Sequence, residues 1–158
     1  MNDLVTRINE LSREQSLEAA RYLSVSLGAS ADKVAKERSA LQPLTEQPYA
    51  NSADIEALAR LLLLSAAAES DYRVAVEKAV DGAGVKQFIL GGAEIVAISS
   101  LALYALQLII TKGKAQTDEA VKITEDGGKK TVEVRKTVRY GVGSKLADVL
   151  GGYFGHKK

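Results

Sequence analysis

The sequence contains no cysteine and no tryptophan, and its single histidine is His156, near the end of the chain. Without cysteine there is no disulfide framework and no thiolate nucleophile. With one histidine there is no histidine pair for a metal ion, and no carboxylates cluster at metal-ligand spacing. No general base stands beside a candidate nucleophile. These absences predict a protein that is not an enzyme and that uses no cofactor and no metal ion.

The chain has no large excess of charge of either sign, because its formal net charge is +1. The two ends of the chain nevertheless differ in net charge. Residues 1–86 carry 10 Lys+Arg and 13 Asp+Glu, a net charge of −3. Residues 112–158 carry 11 Lys+Arg and 6 Asp+Glu, a net charge of +5. This asymmetry predicts an acidic N-terminal domain and a C-terminal part with affinity for anions.

Proline is rare, and its two copies, Pro43 and Pro48, fall in one predicted loop from about Gln42 to Ala50. Elsewhere in residues 1–82 the apolar residues follow helical spacing. Ser12-Arg13-Glu14-Gln15 is a capping-box pattern, which predicts a helix that runs to a C-terminal cap at Gly28. We therefore expect a bundle of short helices in residues 1–82, whose function is contact with a protein partner or control of assembly. The alternative is a soluble cap over a membrane segment.

One long apolar stretch runs from Phe88 to Thr111, and Glu94 is its only charged residue. As a helix these 24 residues extend over roughly 36 Å, which exceeds the ~30 Å thickness of a hydrocarbon layer. Residues 83–114 are therefore predicted to form a glycine-containing hinge and a transmembrane helix. The alternative is a helix buried in the core of a soluble domain.

Small and polar residues recur at steps of four and three along this stretch and define a seam. Its members are Ala93, Ala97, Ser100, Tyr104, Gln107 and Thr111. A repeat of 3.5 residues keeps such a seam on one side of a left-handed supercoil, where small residues allow close approach of helices. Glu94, an acid within the apolar stretch, is expected to face protein or water. The seam predicts a homo-oligomer, which either lines a pore or only associates.

After the apolar stretch the period changes to the alternation of β-strands. Val121 and Ile123 precede the turn signal Asp126-Gly127-Gly128, and a β-branched run from Lys129 to Tyr140 follows, which predicts a β-hairpin. A lone hairpin is marginally stable, so it needs the bundle, the C-terminal helix or the hairpin of a neighbouring subunit. Residues 115–158 are thus predicted to form a basic hairpin and a short C-terminal amphipathic helix.

The basic residues of the hairpin are candidates for binding an anionic ligand. They are Lys122, Lys129, Lys130, Arg135, Lys136 and Arg139. Anionic lipid, a nucleotide or a short oligonucleotide would each present phosphates to these charges. The alternative is a solvated strand face with no ligand.

The predicted fold class is mainly α with a small β element: a helical bundle, one long transmembrane helix, a basic hairpin and an amphipathic helix. In this plan the chain resembles small one-pass membrane channel effectors of bacterial anti-phage systems. The resemblance implies a channel gated by a nucleotide or oligonucleotide signal, and it identifies no individual functional residue.

Three functions follow from these observations. The first is a homo-oligomeric, single-span membrane protein of the pore or channel type, whose flanking domains control assembly or gating. The second is a non-conducting, membrane-anchored interaction module, and the third is a soluble α+β binding protein with the long helix buried. The first two imply a bacterial inner membrane, with the C-terminal part in the cytoplasm because basic residues are more frequent after the apolar stretch than before it.

Overall fold

The computed structural model describes residues 2–28, 52–84, 92–111, 121–134, 138–142, 146–147 and 150. The described residues contain the helices α1 (Asn2–Glu10), α2 (Arg13–Ser26), α3 (Ser52–Ala67), α4 (Ser70–Gly84) and α5 (Gly92–Thr111). They also contain the strands β1 (Val121–Asp126), β2 (Lys129–Val134) and β3 (Val138–Val142). The sequence also predicts a helical segment after Ser30; this segment and the loop predicted around Pro43 and Pro48 lie outside these residues.

Helix α3 is the centre of the fold, because it contacts α1, α2, α4, α5 and β3. Its leucines at positions 58, 61, 62 and 63 are fully buried. A helix that is apolar around most of its circumference is stable only when neighbours cover its apolar residues, and here four helices and a strand do so. The sequence predicts that the apolar run from Ile55 to Ala68 is core, because it is too short for a membrane span, and this prediction is confirmed.

Helix α5 corrects the predicted fold class, since it packs on α2 and α3 inside the common core. Leu103, Leu106 and Ile109 are completely buried there, and Ile110 is 2% exposed. Among the residues that the structure describes, no helix combines the length and the apolar character needed to cross a membrane. The prediction of a transmembrane helix is wrong, because the apolar side of α5 is covered by helices of its own chain.

The hinge predicted to begin at residue 83 is described only at its start. Residues 81–84 are the last residues of α4, and residues 85–91 lie outside the described residues. Ala83 is buried in the core, and Asp81 forms an ion pair with Arg7 of α1. These two contacts fix the end of α4 against the rest of the bundle.

The start and the end of α2 agree with the capping signals in the sequence. The backbone N–H of Gln15 donates to Ser12 Oγ at 3.1 Å, and the backbone N–H of Ser12 donates to Gln15 Oε1 at 2.9 Å. Beside this cap, a hydrogen bond from Arg13 lowers the pKa of the Glu14 carboxyl. Gly28 has a φ of 101°, the left-handed conformation typical of a residue just beyond a helix. The capping-box prediction is confirmed.

The β element is a three-stranded antiparallel sheet in the order β1-β2-β3, not a two-stranded hairpin. The predicted second strand, Lys129 to Tyr140, is divided into β2 and β3, which pair with each other. Val134 pairs with Val138 and Val132 pairs with Tyr140, so even-numbered residues of β2 lie opposite even-numbered residues of β3. These four residues therefore lie on the same face of the sheet, as the alternation in the sequence indicates.

This face of the sheet is packed against the helices. Val132 and Val134 are buried in the same cluster as the leucines of α3, and β3 contacts α3 directly. Of the predicted C-terminal amphipathic helix, only residues 146–147 and 150 are described; they are helical, and Leu146 and Leu150 join the cluster. The sheet therefore obtains its stability from the bundle, which resolves the instability expected of a lone hairpin.

Candidate functional site

The sheet has two faces of different chemistry, and the register aligns their residues in rows across the strands. On the inner face Val121, Val134 and Val138 form one row, and Ile123, Val132 and Tyr140 form the next. Val132 and Val134 in the middle strand are buried, whereas Val121 and Ile123 in β1 are only half-buried. Apolar surface therefore remains accessible at the β1 side of the inner face.

The outer face carries a row of charges and a row of threonines. Lys122 lies opposite Glu133, which lies opposite Arg139, so a carboxylate sits between two cations. Thr124 lies opposite Thr131 in the adjacent row. Arg139 Nη2 lies 3.5 Å from Glu133 Oε1, and this exposed ion pair is expected to contribute less than about 1 kcal/mol to the free energy of unfolding.

The basic residues predicted to bind an anion are each placed opposite a carboxylate where the structure describes them. Lys122 and Arg139 flank Glu133, and Lys129 pairs with Asp126. In the same way Lys130 Nζ lies 3.6 Å from Glu125 Oε1. Arg135 and Lys136 lie outside the described residues. Binding of a phosphate-bearing ligand stays a prediction, and within the described strands neighbouring carboxylates offset the positive charge.

The predicted seam lies along α5, and the structure describes only part of it. Ala93, Ala97 and Ser100, together with the acid Glu94, lie in the first half of the helix, and Thr111 is its last residue. Tyr104 and Gln107 are partly exposed, in contrast to their buried neighbours Leu103 and Leu106. The apolar side of α5 thus faces the core of its own chain, while Tyr104 and Gln107 lie nearer the surface.

A buried arginine, Arg60, is a polar feature whose role the sequence did not reveal. Its guanidinium donates to the backbone oxygens of Ile8 at 2.7 Å and Leu11 at 2.6 Å, and it forms an ion pair with Glu56. These oxygens belong to the C-terminal end of α1, where helix carbonyls lack intrahelical donors and a cation is favoured. Arg60 therefore joins α1 to the central helix. The four-residue spacing of Glu56 and Arg60 was the available signal.

Within the described part of the chain, no group of three or more His, Cys, Asp or Glu side chains could hold a metal ion. The hydroxyl of Ser65 is buried without a hydrogen-bond partner and lies in the middle of the helical core. Such a hydroxyl is inaccessible to a substrate. The site with accessible binding groups is found instead at the edge of the sheet.

Strand β1 is that edge, and the turn that follows it sets the direction of its backbone groups. Gly127 and Gly128 have φ values of 60° and 86°, as in a type I′ turn of a two-residue hairpin. Asp126 and Lys129 flank this turn and hence form a hydrogen-bonded pair. Hydrogen-bonded and non-hydrogen-bonded pairs alternate along an antiparallel ladder, so residues 126, 124 and 122 of β1 form hydrogen bonds with β2. The N–H and C=O groups of residues 121, 123 and 125 therefore point away from β2. No described strand pairs with them.

The β1 edge, meaning these outward groups of residues 121, 123 and 125, has few of the features that usually protect an edge. Its six residues match the length of β2, contain no proline, and pair without a bulge from Val121 to Asp126. Of its charged residues, Lys122 lies opposite Glu133, Asp126 lies opposite Lys129, and Glu125 forms an ion pair with Lys130. The opposite edge, β3, is shorter and contacts α3. The β1 edge is therefore the one suited to accept a further strand.

Comparison with protein-family models, curated proteins and solved structures gives no match to this chain. The function must therefore be argued from the geometry of the described residues.

Proposed function

We propose that this protein is a non-catalytic assembly module, and that copies of the chain associate by strand addition at the β1 edge. The observation that carries the proposal is the row of outward N–H and C=O groups on a strand without proline, bulge or cover from a described element. Backbone hydrogen bonds give such an interaction its affinity, and the side chains on either face select the partner.

Half-buried side chains on the inner face support the proposal. Val121 and Ile123 are apolar and half-exposed at this edge, although their neighbours on β2 are buried. An added strand would cover the outer side of each apolar residue that it opposes and remove apolar surface from water, at about 25 cal/mol per Å². Strand addition therefore combines backbone pairing with burial of apolar surface that is otherwise left exposed.

Self-association was also expected from the sequence, but through the seam on α5 and within a membrane. Here copies of the chain associate through the sheet instead of through the seam. Conduction of ions, which the sequence favoured only through a spanning helix, stays an untested prediction.

Substitution of Glu125 by proline tests the proposal. The N–H of Glu125 points away from β2, so proline removes an outward donor and obstructs the added strand while the β1–β2 ladder keeps its hydrogen bonds. We expect Glu125→Pro to weaken association at least tenfold in sedimentation equilibrium, a change of about 1.4 kcal/mol. Circular dichroism and amide exchange at Thr124, whose N–H points into the sheet, verify that the hairpin is intact.

The matched control is Glu125→Ala, which removes the same side chain, including its ion pair with Lys130, but keeps the N–H. It should associate like the wild-type protein. The proposal is overturned if Glu125→Pro associates as well as Glu125→Ala. It is equally overturned if the wild-type protein stays monomeric at about 1 mM, where even an association free energy of about −4 kcal/mol would produce dimers.

A further inference from the structure

The register of strand addition can be derived from the direction of the backbone groups on β1. This inference rests on the proposed function, and it concerns which residues of two copies oppose each other. Hydrogen bonds form only if residues 121, 123 and 125 of one copy oppose odd-numbered residues of the other. Two antiparallel arrangements satisfy this condition and pair five residues of each strand. One places Ile123 on the two-fold axis, and the other places Thr124 there.

The two arrangements differ in their side-chain pairs. With Ile123 on the axis, Ile123 meets its own copy, but Lys122 faces threonine and Glu125 faces valine. With Thr124 on the axis, Thr124 meets its own copy, and Lys122 of each copy faces Asp126 of the other. On the inner face Ile123 then faces Glu125, and Val121 lies beyond the paired residues. The first arrangement has three hydrogen-bonded residue pairs and the second has two. Threonine pairs and opposite charges are both favourable across strands, so the second arrangement has three favourable side-chain pairs on the outer face, and the first has one, on the inner face.

The rows of the outer face support the same choice, because the Thr124-centred arrangement extends both of them. The charged row becomes Arg139, Glu133 and Lys122 of one copy, then Asp126 and Lys129 of the second copy, so the charge alternates in sign at every step. The threonine row becomes Thr131 and Thr124 of one copy followed by Thr124 and Thr131 of the other. Both rows cross the interface without a like-charge contact.

We infer that two copies of this chain join into a continuous six-stranded sheet through antiparallel β1 strands. Thr124 lies on the two-fold axis, and Lys122 of each copy pairs with Asp126 of the other. All three side chains are exposed in the single chain, so they are available to a second copy. Lys122 and Asp126 are then the residues that determine the specificity of assembly.

Charge reversal at the two positions tests this arrangement. Copies with Lys122→Glu place glutamate opposite Asp126 twice, and copies with Asp126→Lys place lysine opposite Lys122 twice. Each variant alone is expected to associate roughly tenfold more weakly than the wild-type protein, because like charges replace opposite charges at both pairs. In a mixture of the two variants every pair is again of opposite sign. The mixture should form heterodimers with near wild-type affinity, measured by sedimentation velocity with one variant labelled.

Recovery in the mixture also shows that both variants are folded. A milder variant, Lys122→Gln with Asp126→Asn, removes the charges and keeps the side-chain shapes. Its dimer should lose the salt dependence that the wild-type dimer shows between low and high ionic strength. The inference is overturned if the single reversals associate like the wild-type protein, if the mixture associates no better than each variant alone, or if the neutral variant keeps the wild-type salt dependence. Each of these outcomes, together with dissociation by Glu125→Pro, would retain the β1 edge as the site and reject only the register.

Discussion

At the scale of single residues, Arg60 determines how the first helix is attached. It is 7% exposed and its guanidinium hydrogen-bonds with two carbonyls of the α1 end and with Glu56. A buried charge is tolerated only when its donors are satisfied, and here three acceptors satisfy it. The Leu11 carbonyl receives its donor from Arg60, whereas the Ile8 carbonyl also accepts from the backbone N–H of Leu11 at 3.2 Å. Removal of the side chain therefore takes the guanidinium donor from the Leu11 carbonyl and from the Glu56 carboxylate.

Substitution of this arginine gives a direct test. Arg60→Met is expected to lower the free energy of unfolding by about 3 kcal/mol, because the Leu11 carbonyl and the half-buried Glu56 carboxylate lose their donor. The free energy of unfolding of Arg60→Lys should lie between those of the wild-type protein and Arg60→Met, since one ammonium group cannot form all the hydrogen bonds of a guanidinium. Urea unfolding measures both. Arg139→Met, which breaks an exposed pair with Glu133, is the control and should cost less than about 1 kcal/mol. Equal losses for Arg60→Met and Arg139→Met would show that Arg60 is not a structural link.

At the scale of elements, the turn between β1 and β2 fixes which backbone groups form the free edge. Gly127 has a φ of 60°, and a Cβ added to it would meet no atom within 4 Å. A substitution there acts through the backbone alone. Gly127→Asn should raise the free energy of unfolding by about 0.5 kcal/mol, because asparagine suits the first position of a type I′ turn and restricts the unfolded chain. Gly127→Val should lower it by about 1 to 2 kcal/mol.

Thermal unfolding of the two Gly127 variants, with the wild-type protein beside them, provides the measurement. If valine were tolerated as well as asparagine, the turn would not have the left-handed conformation. The assignment of outward groups to residues 121, 123 and 125 would then lose its basis.

The elements that the sequence predicts correctly are those determined by residues close together in the chain. The capping box of Ser12 and Gln15 and the turn at Gly127 each depend on four neighbouring residues, so their signals survive without knowledge of the fold. The division of the predicted strand between Val134 and Val138 carries no glycine or proline signal. It depends on how the sheet meets α3, which local residues do not encode.

The wrong prediction that α5 is a transmembrane helix has a different physical origin. A helix without a charged face is expected both in lipid and in the centre of a protein, since hydrocarbon tails and leucine side chains are equally apolar. Only the apolar faces of other elements separate the two cases. Leu17 and Leu23 of α2 and Leu62 of α3 are fully buried and need such a helix as a neighbour. The β1 edge was not predicted from the sequence, because alternation of apolar and polar residues indicates a strand but not its position in the sheet.

At the scale of the whole molecule, the sheet and the helices share one core. Val132 of β2 is fully buried in the same cluster as Leu61 of α3 and Leu106 of α5. Through β2 and β3 the β1 edge is thus connected to the helical core. Assembly at the edge would therefore orient the helical bundles of two copies relative to each other.

Cooperativity between the sheet and the bundle leads to the last prediction. Val132→Ala in β2 should lower the free energy of unfolding by about 2 kcal/mol, from lost methyl burial and the cavity left behind. Because the core is shared, the loss should be seen in the helical circular dichroism signal, although the change lies in a strand. Val74→Ala makes the same chemical change on α4, where the valine is 61% exposed, and it should leave stability within about 0.5 kcal/mol. A helical signal that shifts with Val74→Ala but not with Val132→Ala would mean that the bundle folds independently of the sheet. The edge would then be tethered to the helices, and assembly through it would not fix their orientation.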